Sequence, residues 1–366
     1  MHIHQQSKAC KDKTNLILHR INQKVTKIIP MSGFLFYLWY MDGYNYRCRN
    51  QSLITPAFIK GLVRPLMKAI PEGVPANFIS ILSHFSVYLA LYLSYSGGSA
   101  KAGSLLIPSL ILLHLIADKM DGIRARNTGT DSPLGELIDH FFEVFNAGAI
   151  IFIAFHWFGF AHLWILIVAV SSTLLVSMAK FYEQYKNNIR IIDELGLFEL
   201  KILLMTAILF SYFPQVYEFL HLNVAKGYSI IESVFMIAIL GGLLSFVRTF
   251  QRISHATYGF WLFIFLLLVV LATSVLVFDV ALASIVILLY GGLYIGNLLI
   301  GQLIDGAERS PGLFTPLFLI IHLATGYFNP QNTFLILVIY LLVNLLLAIF
   351  RGFRALKGHW QWWLQD

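Results

Sequence analysis

The chain has 366 residues, of which 58% are hydrophobic and only 12% charged, with a mean hydropathy of +0.72 and a net charge of +7. Soluble globular domains carry about a quarter charged residues, so this composition excludes an ordinary soluble domain and predicts a polytopic membrane protein. In such a protein, excess Lys and Arg mark the side that faces the cytosol and anionic headgroups, and we expect no nucleic-acid partner.

Residues 1–51 are predicted to form a cytosolic tail, because the first 30 of them are polar and basic. They lack the continuous apolar core and the small-residue cleavage site of a secretory signal. The next segment, 52–75, places apolar residues at helical spacing, which predicts an amphipathic helix lying in the membrane interface. An ordinary cytosolic helix is the alternative. The apolar positions are Leu53, Phe58, Leu62, Leu66 and Ile70.

Ten apolar segments follow, each close to the ~20 residues that a helix needs to span a bilayer. They lie near residues 77–96, 103–123, 134–157, 162–182, 197–213, 229–248, 259–279, 281–301, 313–329 and 333–352. With ten spans, 24 of the 26 Lys and Arg residues fall on one side of the membrane, and only Lys101 and Lys226 fall on the other. This bias supports the number of spans and predicts that both termini are cytosolic.

Four acidic residues lie at the facing ends of the second and third spans: Asp118, Asp121, Asp139 and Glu143. Their spacings, i,i+3 and i,i+4, place each pair on one face of its helix. Because a short polar loop joins the two spans, we expect antiparallel neighbouring helices whose acids converge on one cytosolic site. Charges near hydrocarbon are costly, so a cluster of this kind predicts a functional site.

Carboxylates brought together repel one another, and divalent cations remove that repulsion. A set of hard oxygen ligands suits Mg²⁺ or Mn²⁺, and two such ions would bind a pyrophosphate and stabilise its leaving oxygen. The alternative is a set of ordinary loop charges paired with Lys119, Arg124 and Arg126.

Small residues accompany the acids. Gly122, Ala125 and Gly135 would let a ligand approach the helix backbones, although helix packing alone also favours small residues. Arg126 offers a planar fork for a phosphate, with a simple topological marker as the alternative. The Ser-Pro dipeptide at 132–133 predicts an N-cap and first helical position for the third span.

The run from Asp118 to Glu143, DKMDGIRARNTGTDSPLGELIDHFFE, resembles the signature of the CDP-alcohol phosphotransferases, DxxDGxxAR-x8-GxxxDxxxD. Seven of its eight fixed positions match, with the same spacing over 26 residues. Within that family, TGTDSPLGELIDH and the earlier VPANFIS are similar to the choline/ethanolamine phosphotransferase branch. The resemblance covers roughly residues 50–205 and is only topological beyond them.

The resemblance implies an integral membrane transferase of phospholipid biosynthesis. Such an enzyme moves phosphocholine or phosphoethanolamine from CDP-choline or CDP-ethanolamine to diacylglycerol or a related membrane lipid and releases CMP. On this basis residues 76–213 form the catalytic core, and 214–366 form additional spans and a cytosolic C-terminal tail. The enzyme would lie in the endoplasmic reticulum or Golgi of a eukaryote or the inner membrane of a bacterium. A homodimer is compatible with the later spans.

The resemblance also implies roles for individual residues. Asp118, Asp121 and Asp139 match the aspartates that bind metal and the nucleotide diphosphate. The family fills the fourth acidic position with an aspartate that binds metal, acts as catalytic base, or does both, and here that position is Glu143. Nucleotide contacts would fall on Asn77, Gly122, Ala125, Arg126 and Gly135.

The glutamate leaves three interpretations open. Glu143 takes the aspartate's role, the enzyme uses another base or acceptor, or the protein is an inactive relative that keeps a nucleotide or metal site. His140 and Glu199 are the other candidate bases, with an interfacial hydrogen bond and a paired acid as their structural alternatives. Phe141 and Phe142 replace the family's Gly-Cys, and we expect them to narrow the pocket.

Two rival functions remain at this stage. A CDP-diacylglycerol-dependent synthase would use the same acidic signature with a different nucleotide substrate. A cation or solute transporter would place its acids near the bilayer midplane, often in duplicated halves, whereas here they cluster toward one face and no duplication is visible.

Overall fold

The computed structural model describes residues 47–96, 100–187, 189–192, 196–225, 227–253 and 255–356. Most of these residues are helical, which confirms the prediction of an all-α polytopic membrane protein. Most of the predicted N-terminal tail, residues 1–46, lies outside the described residues, as does the end of the predicted C-terminal tail, residues 357–366.

The helices are numbered in chain order. They are α1 (Thr55–Phe58), α2 (Arg64–Met67), α3 (Ala76–Tyr95), α4 (Ala100–Thr128), α5 (Pro133–Phe158), α6 (Trp164–Asn187), α7 (Leu197–Phe210), α8 (Pro214–Leu220), α9 (Ile230–Arg252), α10 (Tyr258–Val277), α11 (Val280–Ile300), α12 (Phe314–Thr325) and α13 (Pro330–Leu356). A π-helical turn, Ile59–Val63, joins α1 to α2, and another, Gly301–Asp305, continues α11.

Four short strands complete the described secondary structure. Strand β1 (Arg47–Asn50) pairs in parallel with β2 (Ile189–Ile192), with Arg47 opposite Ile189. Strand β3 (Asn223–Ala225) pairs antiparallel with β4 (Tyr228–Ser229) in the connection before α9.

Eight described helices are long and apolar enough to cross a membrane: α3 to α6, α9 to α11, and α13. The predicted spans 197–213 and 313–329 are instead α7, with 14 residues, and α12, with 12. At 1.5 Å per residue they are about 21 and 18 Å long, short of the ~30 Å hydrocarbon core. Pro214 disfavours helical geometry in the residue before it, and Gly326 ends α12 with a φ of 61°. Among the described residues, eight helices rather than the predicted ten are therefore long enough to span.

The predicted amphipathic segment is helical from Thr55 to Met67, and Phe58 and Ile70 of the predicted apolar stripe pack against the buried cluster around Val63. Val63 is fully buried and, with its neighbours in the segment, packs on Ala117 and Met120 of α4. Leu53 and Leu66 of the predicted stripe are 66% and 40% exposed.

Helix α5 begins where the sequence predicts. Ser132 is its N-cap and accepts a hydrogen bond from the backbone N–H of Gly135 at 3.1 Å, and Pro133 is its first residue. The first turn of α5 carries Gly135, which lies beside Asn77 of α3, and Asp139 follows one turn later.

The acid-bearing helices α4 and α5 do not pack closely on each other. Helix α3 packs against both of them, and α7 also contacts both, so α3 and α7 flank the space between them. The two helices are joined by the short loop at residues 129–132, and they meet largely through α3. The reason lies in the side chains of α3, since Ser80 hydrogen-bonds to α4 and His84 hydrogen-bonds to α5.

Candidate functional site

A buried polar face of α3 forms one wall of the site. Asn77, Ser80 and His84 lie at i, i+3 and i+7, and all three are buried. Asn77 meets the start of α5, where a Cβ added to Gly135 would lie only 3.1 Å from the Asn77 side-chain oxygen. The predicted nucleotide contacts Asn77 and Gly135 are thus adjacent, and the absence of a side chain at Gly135 allows the close approach.

Asp121 is the least exposed of the four predicted metal-binding acids. Its side chain is 5% exposed, and its Oδ2 accepts a hydrogen bond from Ser80 Oγ at 2.5 Å. Its Oδ1 accepts from the backbone N–H of Gly122 at 2.6 Å. Both carboxylate oxygens are therefore held in fixed positions between α3 and α4.

Asp118 lies one turn earlier on α4 and forms an ion pair with Lys119, at 2.7 Å between Oδ2 and Nζ. The same ammonium lies over the ring of Phe198 at the start of α7, 5.4 Å from the ring centroid. Asp118 also interacts electrostatically with Lys201 of α7 and with His114. Positive charge from α7 therefore helps to balance this acid.

On α5, His140 is surrounded by acids. Its Nδ1 lies 3.2 Å from Asp139 Oδ2 and 3.7 Å from Glu143 Oε2, and its Nε2 lies 4.0 Å from Glu136 Oε1. The ring is buried and packs against Phe181 of α6 at a centroid distance of 5.4 Å. The His140 imidazole thus lies between Asp139 and Glu143, the two predicted metal-binding acids of α5.

The acids of the two helices lie close enough to interact electrostatically. Asp121 interacts electrostatically with Asp139 as well as with Asp118, and Lys119 interacts with both Asp139 and Glu143. Within the described part of the chain, however, no three His, Cys, Asp or Glu side chains are grouped closely enough to hold an ion. The donor set itself, composed of carboxylate oxygens, has the chemistry that Mg²⁺ and Mn²⁺ prefer.

The comparison with known families addresses the same segment of the chain. Residues 74–242 match the family model for CDP-alcohol phosphatidyltransferases. The match runs from just before α3 to the middle of α9 and includes the acids of α4 and α5 and the polar face of α3. It implies transfer of an alcohol phosphate from a CDP-alcohol in phospholipid synthesis, without specifying the alcohol. No curated protein matched the chain.

Two arginines of this transferase segment have different environments. Arg126 is exposed, and its guanidinium lies back over Gly122, where an added Cβ would be 3.3 Å from Nη1. Ala125 uses its carbonyl to accept a hydrogen bond from Thr130 N at 2.9 Å. Arg124 is buried and donates to the backbone carbonyls of Val74 and Pro71, which ties the segment before α3 to α4. Of the two, only Arg126 is exposed.

The two phenylalanines that follow His140 point in different directions. Phe141 is buried against α11, where a Cβ on Gly296 would overlap its ring. Phe142 packs against the ring of His84 on α3, at a centroid distance of 5.0 Å. Successive helical side chains diverge by about 100°, so only Phe142 borders the space between α3 and α5, and the expectation that both narrow the pocket is wrong for Phe141.

Glu199 lies in the first turn of α7 with both carboxylate oxygens occupied. Its Oε2 accepts a hydrogen bond from Gly196 N at 2.8 Å, and its Oε1 accepts one from the hydroxyl of Ser52. The side chain is buried. These contacts correspond to the paired-acid alternative for Glu199 and fasten the segment before α1 to α7.

A largely apolar cavity of about 480 Å³ lies among α6, α7, α9 and Ile151 of α5. Its polar lining comes from Ser172, Thr173, Lys180, Glu199 and Ser245, while most of the other lining residues are apolar. This volume falls within the range of small-molecule sites, which are mostly apolar with few polar groups. The first turn of α7 joins the cavity to the acids, because Phe198 contacts Lys119 and the next residue lines the cavity.

Sequence reasoning did not identify a second set of buried polar residues in the transferase segment. These residues are Ser83, His84, His114, Asn146 and Lys201. Their signal in the sequence was their helical spacing from the acids, since His114 lies four residues before Asp118 and Asn146 lies three residues after Glu143. Polar side chains inside apolar spans are costly, so this spacing indicates a continuation of the site.

Proposed function

We propose that the protein transfers phosphocholine or phosphoethanolamine from CDP-choline or CDP-ethanolamine to the hydroxyl of diacylglycerol or a related lipid, releasing CMP. The observation that carries this proposal is the electrostatic interaction of Asp121 with Asp118 and Asp139, on two helices that both pack against α3, inside the segment that matches the transferase family. The similarity of TGTDSPLGELIDH to the choline/ethanolamine branch supports these headgroups.

The acids would hold Mg²⁺ or Mn²⁺, and two ions suit a diphosphate. The residues are Asp118, Asp121, Asp139 and Glu143, whose oxygens fit these hard cations. When bound, the ions would neutralise the diphosphate and stabilise the departing CMP. Ser80 and the Gly122 N–H hold one carboxylate in place, so part of the ligand set is oriented by the protein itself.

The remaining residues of the site bind and orient the substrates. Arg126 would bind a phosphate oxygen, and Asn77 with the small residues beside it would contact the nucleotide. The lipid hydroxyl attacks the phosphorus next to the alcohol and loses its proton to the pair formed by Glu143 and His140. In this pair, Glu143 Oε2 lies 3.7 Å from His140 Nδ1. Glu199 positions α7 instead, because both of its oxygens already accept hydrogen bonds.

The apolar cavity beside α7 supports a lipid as the acceptor. A chain entering between α6, α7 and α9 would meet an apolar lining and approach the acids through the first turn of α7. Eleven of the 26 Lys and Arg residues precede α3, and an even number of spans separates them from the acids and from the C-terminus. This supports a cytosolic position for the acids and for both termini, in the endoplasmic reticulum, the Golgi or a bacterial inner membrane.

The test is a transfer assay on the purified protein in lipid vesicles, with labelled CDP-choline, CDP-ethanolamine and CDP-diacylglycerol supplied separately. We expect lipid product and CMP from one or both of the first two, and none after chelation until Mg²⁺ or Mn²⁺ is returned. Asp121→Asn should be inactive while inserting normally. Asp279→Asn is the matched control, because Asp279 only caps α11, where Asn is an equivalent N-cap.

Each alternative gives a different result in that assay. Product from CDP-diacylglycerol alone would indicate a CDP-diacylglycerol-dependent synthase. Binding of a CDP-alcohol without transfer would indicate an inactive relative, and cation flux without nucleotide binding would indicate a transporter. Full transfer in the presence of chelator would contradict the metal-binding role of the acids.

A further inference from the structure

The cavity among α6, α7 and α9 reaches the outer surface of the helix bundle between α7 and α9. Helix α9 packs closely along α6, whereas within the described residues α7 and α9 make little contact with each other. Leu203 of α7 and Ile237 of α9 both line the cavity, and they are 47% and 69% exposed. Gly241, one turn beyond Ile237, also lines the cavity and is exposed. These three residues border a sideways opening of the cavity, the α7–α9 slot.

The slot lies at the depth of lipid tails. Gly241 is at the middle of α9, eleven residues from Ile230 and eleven from Arg252. At 1.5 Å per residue, it is therefore about 16 Å from either end of a helix that is long and apolar enough to cross a membrane. The middle of a spanning helix lies within the hydrocarbon core, which is ~30 Å thick. The slot therefore faces acyl chains rather than headgroups or water.

The polarity of the cavity changes along its length. Lys180 lies seven residues before the end of α6, Ser245 lies seven before the end of α9, and Glu199 lies in the first turn of α7. The opposite end is mainly apolar and includes Phe235, whose ring packs against Phe155 of α5 at a centroid distance of 5.7 Å. This gradient complements a molecule with one polar end and one apolar chain.

The polar end of the cavity adjoins both acid-bearing helices. Phe181 follows Lys180 on α6 and packs against His140 of α5 at a centroid distance of 5.4 Å. Phe198 precedes Glu199 and lies under the ammonium of Lys119 of α4. A lipid whose chain lies in the cavity therefore has its polar end beside α4 and α5.

Two consecutive glycines of α9 line the cavity in different ways. A Cβ added to Gly242 would lie 2.8 Å from Ser172 Oγ, so this glycine allows α9 to pack tightly on α6. A Cβ added to Gly241 would meet nothing within 4 Å, so a side chain there would extend into the open space of the slot. Glycine is a poor helix former, and helix packing explains Gly242 but not Gly241.

We propose that the acceptor lipid enters the cavity sideways through the α7–α9 slot, and that the missing side chain of Gly241 leaves room for its acyl chain. This assignment rests on the proposed function and takes a diacylglycerol as the occupant. One acyl chain lies in the cavity, and the glycerol end lies near Lys180 and Ser245, from which its hydroxyl reaches the Glu143–His140 pair. Gly241 is then a specificity-determining residue, because a larger side chain at this position excludes a long chain.

The experiment compares Gly241→Ala, Gly241→Leu and Gly241→Phe with wild type, in vesicles containing long-chain diacylglycerol at several surface concentrations. The KM for diacylglycerol should rise with the size of the side chain, about tenfold or more for Gly241→Phe, while the KM for the CDP-alcohol changes less than about twofold. Leu240→Phe and Leu244→Phe are the matched controls. Both leucines are exposed on the same helix and do not line the cavity, so these variants should change neither KM.

An unchanged KM for diacylglycerol, equal changes in both KM values, or the same lipid effect in a control would overturn the inference. A cavity that holds only a permanently bound structural lipid would give the first of these results. If the Gly241 variants do not fold, wild type decides, using a diacylglycerol with a diazirine at the end of one acyl chain. Crosslinks to α7 and α9 that excess unlabelled diacylglycerol reduces support the slot.

Crosslinks that the excess does not reduce, or crosslinks confined to helices that do not line the cavity, refute it. A wild type that transfers no alcohol phosphate from any CDP-alcohol defeats the proposed function itself. An active wild type with unaffected Gly241 variants defeats only the assignment of the slot.

Discussion

Phe141 and Phe145 of α5 pack over two glycines of α11, Gly296 and Gly292, where an added Cβ would overlap each ring. The glycines are four residues apart, as are the phenylalanines, so both contacts form along a single line between the helices. Such small residues allow close helix approach in membranes. Because Phe141 follows Asp139 and His140, this contact also sets how α5 presents its acids.

We predict that Gly296→Ala destabilises the protein. Overpacking costs about 1–3 kcal/mol, while Ala gains about 1 kcal/mol over Gly in helix propensity. The control is Gly241→Ala on α9, where an added Cβ meets nothing within 4 Å, so it keeps the propensity gain without the overlap. Relative to this control, Gly296→Ala should lower the free energy of unfolding by about 1–3 kcal/mol.

The assay is thermal or denaturant unfolding of the purified variants, together with the transfer rate at a temperature where each stays folded. Adding Phe141→Leu to Gly296→Ala should restore part of the lost stability, because residues in contact couple by about 0.5–3 kcal/mol. Equal stability of the two glycine variants, or no rescue by the smaller side chain, would refute the packing argument.

Three further predictions concern single side chains. Ser80→Ala should lower kcat/KM for the CDP-alcohol about tenfold, because the buried Asp121 carboxylate loses a charge-assisted hydrogen bond. Ser86→Ala is the control: it removes only a hydrogen bond to the backbone of its own helix and should leave kcat/KM unchanged. Glu143→Asp should keep measurable transfer and Glu143→Gln should lose it; equal rates for the two would show that the charge is not needed. Arg252→Ala should lower the unfolding free energy by about 3 kcal/mol, because it leaves the buried Glu183 without its ion pair, and unchanged thermal unfolding would contradict this.

Residues that act locally were predictable. The Ser-Pro start of α5 depends only on neighbouring backbone atoms, and it forms where the sequence predicts. The spacing of Asp118 and Asp121 needs only the helical period to place both acids on one face. The motif around them was recognisable because its members lie within 26 residues, and the family match covers the same segment.

Residues whose roles depend on distant partners were less predictable. Glu199 resembled a candidate base, and it accepts a hydrogen bond from Ser52, which is 147 positions away along the chain. Phe141 and Phe142 looked equivalent, yet one packs on α11 and the other on α3. His84 and Asn146 are 62 positions apart, and neither residue alone predicted the hydrogen bond between them.

The sequence by itself determined the class of protein, the positions of the helices and the line of acids, because hydropathy, helical period and caps act over a few residues. Only the tertiary structure decided that α3 and α7 flank the space between the acid-bearing helices, that two apolar segments are too short to span, and which distant polar side chains pair with one another. Those outcomes depend on which faces of separate helices pack together, and side-chain volume and hydrogen bonding between distant residues select those faces.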